Sequence, residues 1–247
     1  METLKGRTCV FAGATGTIGY GAVKAMCEAG MNVVMVTHDP ASAKEIIASL
    51  EGTPGKCIAM SNTSTDSDIY AEVEKQFGSV DVIVNKTGSF NAVRPVEEIT
   101  SADVAEKIKH QIVGAYNMAQ CAIPYLKKSK AGRIIFCASA GAQNGFDGEN
   151  IADSIARGGV ISMTYALARA LVPYGITVNC IAASGIANDH PPKKETDFDV
   201  ASVADRIPIG HVGTPEEFGG AVAYLASEEA GFVTGQIVNL SGGLHIG

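Results

Sequence analysis

Apolar runs and longer helical segments alternate along this chain and predict an α/β fold, one domain with a doubly wound parallel sheet of about seven strands flanked by helices. Three observations carry this. Seven short, mostly apolar runs recur: Thr8–Phe11, Val33–Val36, Cys57–Met60, Val80–Val84, Arg133–Cys137, Thr177–Ile181 and Ile237–Leu240. Runs without polar alternation suit parallel strands covered on both faces. Helical patterns separate them near residues 17–29, 41–50, 66–77, 101–127, 153–172 and 215–226, the order of a parallel, helix-crossed sheet. A length of 247 residues, 46% of them hydrophobic, fills one such domain spanning 1–247.

The first strand runs into Ala12-Gly13-Ala14-Thr15-Gly16-Thr17-Ile18-Gly19 and then a helix. Glycines in a strand–turn–helix junction let the backbone approach a pyrophosphate, which the free N–H groups of the helix start stabilise. Gly13, Thr15, Gly16, Thr17, Ile18 and Gly19 are therefore expected dinucleotide contacts. The second strand ends in Val36-Thr37-His38-Asp39, where an acid would bond ribose hydroxyls and a base would meet a 2′-phosphate. Residues 185–202, with Pro191-Pro192-Lys193-Lys194-Glu195, form the one long irregular stretch. Following a strand's carboxyl end, it is expected to lie over the ligand crevice as a substrate lid. Thr214-Pro215-Glu216-Glu217 reads as a helix start, with a Thr cap, Pro in the first turn and acids after it.

Composition excludes several classes. A net charge of −7 with no basic stripe argues against nucleic acid. No apolar run reaches the roughly 18 residues of a membrane span. The start Met-Glu-Thr-Leu-Lys-Gly lacks a signal-peptide core, so a cytoplasmic protein is expected. Six cysteines without a Cys-x-x-Cys pair read as small hydrophobes in a reducing compartment. Neither they nor the five histidines show metal-ligand spacing, so no metal site is expected.

Further motifs carry a resemblance. Asn85-Lys86-Thr87-Gly88 follows the fourth strand, and Ser139 follows the fifth. Leu167-Ala168-Arg169 leads without a gap to Gly175-Ile176-Thr177-Val178-Asn179. Arg206-Ile207-Pro208-Ile209-Gly210, Gly213-Thr214-Pro215-Glu216-Glu217 and Gly235-Gln236-Ile237-Val238-Asn239-Leu240-Ser241-Gly242-Gly243 close the chain. Together, over residues 5–244, these resemble the short-chain dehydrogenase/reductase family. The resemblance implies a Rossmann-type fold, a nicotinamide cofactor, a small-molecule substrate, and a homodimer or homotetramer assembled through helices 101–127 and 153–172 and the last strand. It adds Asn62, Thr63, Asn85, Lys86, Thr87, Gly88 and Ile186 to the expected cofactor contacts. Thr37 stands where NAD-preferring members carry Asp, and His38 where many NADP-preferring members carry Arg. The reading leans to NADP, with NAD as the alternative.

At the reaction centre the chain departs from the family. Ser139 matches the serine that bonds the substrate carbonyl. The ungapped register from Arg157 to Asn179 places Asp153 and Arg157 where the family has the Tyr and Lys of Tyr-x-x-x-Lys. Gln111 replaces the asparagine that supports a proton-relay water, and Ala183-Ser184 replaces Pro-Gly beside the nicotinamide. A carboxyl has a reference pKa of ~3.9 against about 10 for a tyrosine. Arg157, four residues on along the helix, favours the carboxylate further. Asp153 is thus a poor acid in place of Tyr; it can act as a base, orient Arg157, or form a helix-surface pair with it. Arg157 can bond ribose hydroxyls.

Three readings follow. The first is an NAD(P)-dependent oxidoreductase with an altered site, moving hydride to or from a carbonyl, alcohol or activated alkene. The second is a lyase or isomerase with Asp153 as base. The third is a non-catalytic cofactor-binding subunit of a mixed oligomer.

Overall fold

A computed structural model describes residues 2–38, 40–61, 67–88, 94–145, 151–187 and 204–247. The expected contacts Asn62 and Thr63, the nearby Asp39, and all but the first residues of the expected lid lie outside these residues.

Seven parallel strands form the sheet: β1 Thr8–Ala12, β2 Asn32–Thr37, β3 Cys57–Ser61, β4 Val82–Asn85, β5 Arg133–Ala138, β6 Thr177–Ala183 and β7 Ile237–Leu240. Their order is 3-2-1-4-5-6-7. Helices α1 Thr17–Glu28, α2 Lys44–Ser49, α3 Ser67–Phe77, α4 Ser101–Lys107, α5 Gly114–Leu126, α6 Gly141–Asn144, α7 Ile151–Leu171 and α8 Pro215–Ala226 connect them. Register pairs such as Val10↔Val34 and Val10↔Ile83 set apolar side chains side by side across the sheet. Phe11, Val33, Met35, Val84, Ile135 and Ile181 pack on one face against Val23 and Met26 of α1 and Phe218 and Val222 of α8. Val10, Val34, Ile83, Ile134, Phe136 and Val178 pack on the other against Tyr70, Met118, Ala122 and Val160. Both faces are covered, which is why the runs read as mostly apolar.

Most element ends fall within a few residues of the sequence expectation, and two departures stand out. The fourth strand starts at Val82 rather than Val80. The Asp81 carboxylate accepts from Thr8 N at 2.9 Å and from the hydroxyls of Ser79 and Ser129 at 2.6 Å each, while its backbone still donates to Thr8 O and accepts from Arg133 N at 2.9 Å each. The helix expected over 101–127 is two helices joined by a π-turn at Ile108–Val113. Such single wide turns recur at functional sites, and this one borders the residues treated below.

The expected start of α8 is present as a reciprocal cap. Thr214 Oγ1 accepts from Glu217 N at 3.2 Å, and Glu217 Oε2 accepts from Thr214 N at 2.8 Å. This anchors the helix where it crosses α1 at glycines: a Cβ on Gly21 would lie 1.9 Å from Pro215 O, and one on Gly219 would lie 2.3 Å from Gly21 O. Gly21→Ala forces backbone apart in a region where little can yield. We expect a loss of about 2–3 kcal/mol in urea unfolding. A change within ~0.5 kcal/mol would show that the two helices separate freely.

Candidate active site

The crevice lies beyond the carboxyl ends of β1 and β4, where chain order reverses across the sheet. Gly13 has φ +83, and a Cβ there would sit 2.3 Å from Lys86 O; the turn closes on the β4 end, with Lys86 N donating to Ala12 O at 2.9 Å. Gly16 is the exposed N-cap residue of α1, has no side-chain cap, and the first turn holds no acid. Among the described residues, a Cβ built on Gly16 meets only Lys86 Nζ, at 3.7 Å. The turn is therefore a cradle of backbone with a helix start behind it and an ammonium in front, which fits the diphosphate of a dinucleotide. Thr15 and Ile18 flank it half-buried, and Gly19 lets α1 fold back on Gly13 and Ala14, whose carbonyls would lie 2.6 Å from a Cβ.

At the end of β2, Thr37 is half-buried and His38 is exposed on the rim. Asn85 closes β4: its Oδ1 accepts from Thr87 Oγ1 at 2.8 Å, and its Nδ2 lies 3.3 Å from Met118 Sδ. Gly88, at φ +112, lies against the Gln111 side chain, 3.0 Å from where a Cβ would be. Ile186 is buried, and its δ-methyl would meet a Cβ on Gly213 at 2.5 Å. Its backbone bridges Gly213 at the base of the expected lid.

The helix-surface pair weighed for Asp153 and Arg157 is not what forms. Asp153 is 0% and Arg157 8% exposed. Asp153 Oδ1 is 2.8 Å from Lys107 Nζ and accepts from Gln111 Nε2 at 2.9 Å. Burial follows from packing: a Cβ on Gly159 of α7 would lie 2.3 Å from Ile112 Cδ1, so the π-turn and α7 are in direct contact. Lys107, itself 7% exposed, was not expected from the sequence. One signal marks it. It stands four residues before Gln111 on the stripe that continues through Ala115, Met118 and Ala122, a polar residue on a face otherwise committed to the core. His110 and Lys109 are exposed on the same segment.

Ser139 ends the β5 junction, 1% exposed, and its Oγ accepts from Ala142 N at 3.3 Å. The α6 turn after it was not expected. It ties this edge to the last strand through Gln143 Nε2, which donates to Asn239 Oδ1 at 2.5 Å. Ser184 Oγ accepts from Ala140 N at 3.2 Å. Cys137 lies two residues before Ser139 among apolar side chains. Burial pushes its thiol up to about 12, against the opposing charges of Lys86 and Arg157; burial raises Cys9 and Cys180 as well. These thiols stay protonated in the folded chain at a pH where unfolded thiols, at about 8.5, ionise. Their contribution to stability is thus complete below about pH 8.5 and is lost as pH rises toward 12. We expect a lower urea midpoint at pH 10 than at pH 8, and a smaller drop in Cys137→Ala; an equal drop would assign the effect to other groups.

The family model described as enoyl-(acyl carrier protein) reductase matches residues 13–245. The chain is 31% identical to the 3-oxoacyl-(acyl-carrier-protein) reductase FabG of Thermotoga maritima, over 98% of this chain and 99% of that one. It is 29% identical to the L-fucose dehydrogenase of Oryctolagus cuniculus, over 98% of this chain and 86% of that one. Among solved structures, a 3-oxoacyl-(acyl-carrier protein) reductase of Brucella melitensis superposes with a TM-score of 0.87 at 23% identity, covering 100% of this chain and 94% of that one. An NAD+-bound xylitol dehydrogenase gives 0.85 at 23% identity, covering 97% and 99%.

Proposed function

Because the chain belongs to the short-chain dehydrogenase/reductase family, we propose that it is an NAD(P)-dependent oxidoreductase whose proton-transfer site differs from Tyr-x-x-x-Lys. The observation that carries the second half is the Asp153 carboxylate, buried and held at Oδ1 by Lys107 and Gln111. Held between an ammonium and an amide and shut off from solvent, this group is poorly placed to hand a proton to a substrate. The same burial counts against Asp153 as the exposed base of a lyase.

When bound, the nicotinamide supplies or accepts the hydride. Gly13 to Gly19 form the cradle for the diphosphate, Lys86 adds a cation, and Arg157 holds the ribose. His38 at the β2 rim supports NADP over NAD. Ser139 orients a substrate oxygen by hydrogen bond. The proton comes from water, which favours substrates whose anion is stabilised before protonation. Reduction of an activated alkene gives such an enolate. The family description and the reductase relatives put acyl thioesters first among candidates. The exposed Tyr116 of α5 and Ile155 and Tyr165 of α7 support assembly of like chains through these helices, and the low basic content supports a soluble cytoplasmic enzyme with neither nucleic acid nor membrane as partner.

The test is NADPH and NADH oxidation by purified protein over 2-enoyl and 3-oxoacyl thioesters, simple enones, ketones and sugars. The reading expects turnover with at least one activated alkene or acyl thioester. Silence across the panel would refute it.

A further inference from the structure

We infer that Lys107 is a positioning residue of the cofactor site, acting on Arg157 through Asp153; this rests on the cofactor half of the function proposed above. Asp153 stands in the first turn of α7, and Arg157 follows one turn later on the same helix. Lys107 ends α4 and Gln111 lies in the π-turn, so two donors four residues apart grip one carboxylate oxygen, at 2.8 and 2.9 Å. Further along α7, Gly159 lets Ile112 of the π-turn come within 2.3 Å of where a Cβ would be. The start of α7 is therefore pinned twice, by charge at Asp153 and by close contact at Gly159, with Arg157 between.

The close contact, with Val160, Ala168 and Leu171 packed in the core, seats the body of α7 but not its first turn, which carries Asp153. The ion pair supplies what the contact does not. It has a buried charge on each side, so it holds one placement of that turn and penalises others, which would leave both charges in apolar surroundings. Arg157 lies on the buried face of α7, the helix that packs against β5 and β6. Asp153 and Arg157 share that buried face one turn apart, so a shift of the first turn is passed on to Arg157. Gln111 completes the device by packing on Gly88, which couples the same carboxylate to the β4 end of the cofactor cradle.

The test uses Lys107→Met with Asp153→Asn, which removes both charges together and keeps an amide oxygen for Gln111. Thermal midpoint and NADPH affinity, by fluorescence titration of the full chain, are measured in the parent, this double variant, Arg157→Ala, and the three changes combined. The expected result is a double variant with a midpoint close to the parent and about tenfold weaker NADPH binding, and a combined variant no more than about twofold weaker than Arg157→Ala alone. Lys107→Arg retains affinity within about twofold, since it keeps the charge. Parent-like affinity in the double variant overturns the inference, as does a loss fully additive with that of Arg157→Ala. Should the double variant fail to fold, Asp153→Asn takes its place in the same cycle with the same criteria. A parent that binds neither NADPH nor NADH overturns it too. A parent that binds cofactor but transfers no hydride sinks the proposed reaction and leaves this cycle to be judged on its affinities.

Discussion

Lys107→Met is expected to lower the thermal midpoint by roughly 10 °C. The single change leaves the Asp153 carboxylate at 0% exposure without the ammonium 2.8 Å away. Breaking a buried pair by removing one partner costs about 3–5 kcal/mol, because the remaining charge is left in apolar surroundings. In a chain of this size each kcal/mol shifts the midpoint by about 2–4 °C. A helix-surface Asp–Arg pair, the arrangement the sequence also allowed, is worth only ~0.3–0.5 kcal/mol, which would move the midpoint by less than about 2 °C. The two cases are far enough apart for calorimetry to separate. Adding Asp153→Asn to Lys107→Met should recover most of the loss, since it removes the stranded charge. A single variant within 2 °C of the parent would mean that Asp153 finds another counter-charge or water.

Asp153→Tyr with Arg157→Lys, which restores the family motif, is expected to reduce carbonyls no faster than the parent. The ring enters a site packed for a carboxylate, and Lys107 is left buried without its counter-charge. Adding Lys107→Met removes that charge and frees the space behind the phenol. The triple variant should then reduce a 3-oxoacyl thioester about 10²–10⁴-fold faster than the parent, the range that a placed general acid contributes. Steady-state NADPH oxidation checks this. Full activity in Asp153→Tyr with Arg157→Lys alone would show that Lys107 does not constrain the site. No gain in the folded triple variant would place the defect elsewhere, at Gln111 or Ser184.

The central strands were legible because their apolar runs are buried on both faces of a parallel sheet, so composition alone marks them; the edge strands β3 and β7 are only partly buried. The glycine turn was legible for a local reason: Gly13 adopts a positive φ against Lys86 O, and that demand writes glycine into the sequence. The start of α8 was legible from Thr214 and Glu217, which cap each other within four residues. What was not legible depends on partners far apart in the chain. Lys107 and Asp153 are 46 positions apart and meet only when the π-turn lies on α7. A single apolar stripe runs through 101–127 whether or not one turn is widened, so the periodicity could not show the break. The substitution of Tyr by Asp was plain from the register; that it turns into a buried helix contact was not.

The central claim is hydride transfer from the nicotinamide to an activated alkene, and one labelling measurement tests it most directly. Purified protein is given NADPH carrying deuterium at the transferable C4 position, with a 2-enoyl thioester in ordinary water, and then unlabelled NADPH in deuterium oxide. The account predicts one deuterium at the β-carbon in the first case and one at the α-carbon in the second, both read by mass spectrometry of the product. An absence of β-carbon label while the substrate is consumed would contradict it.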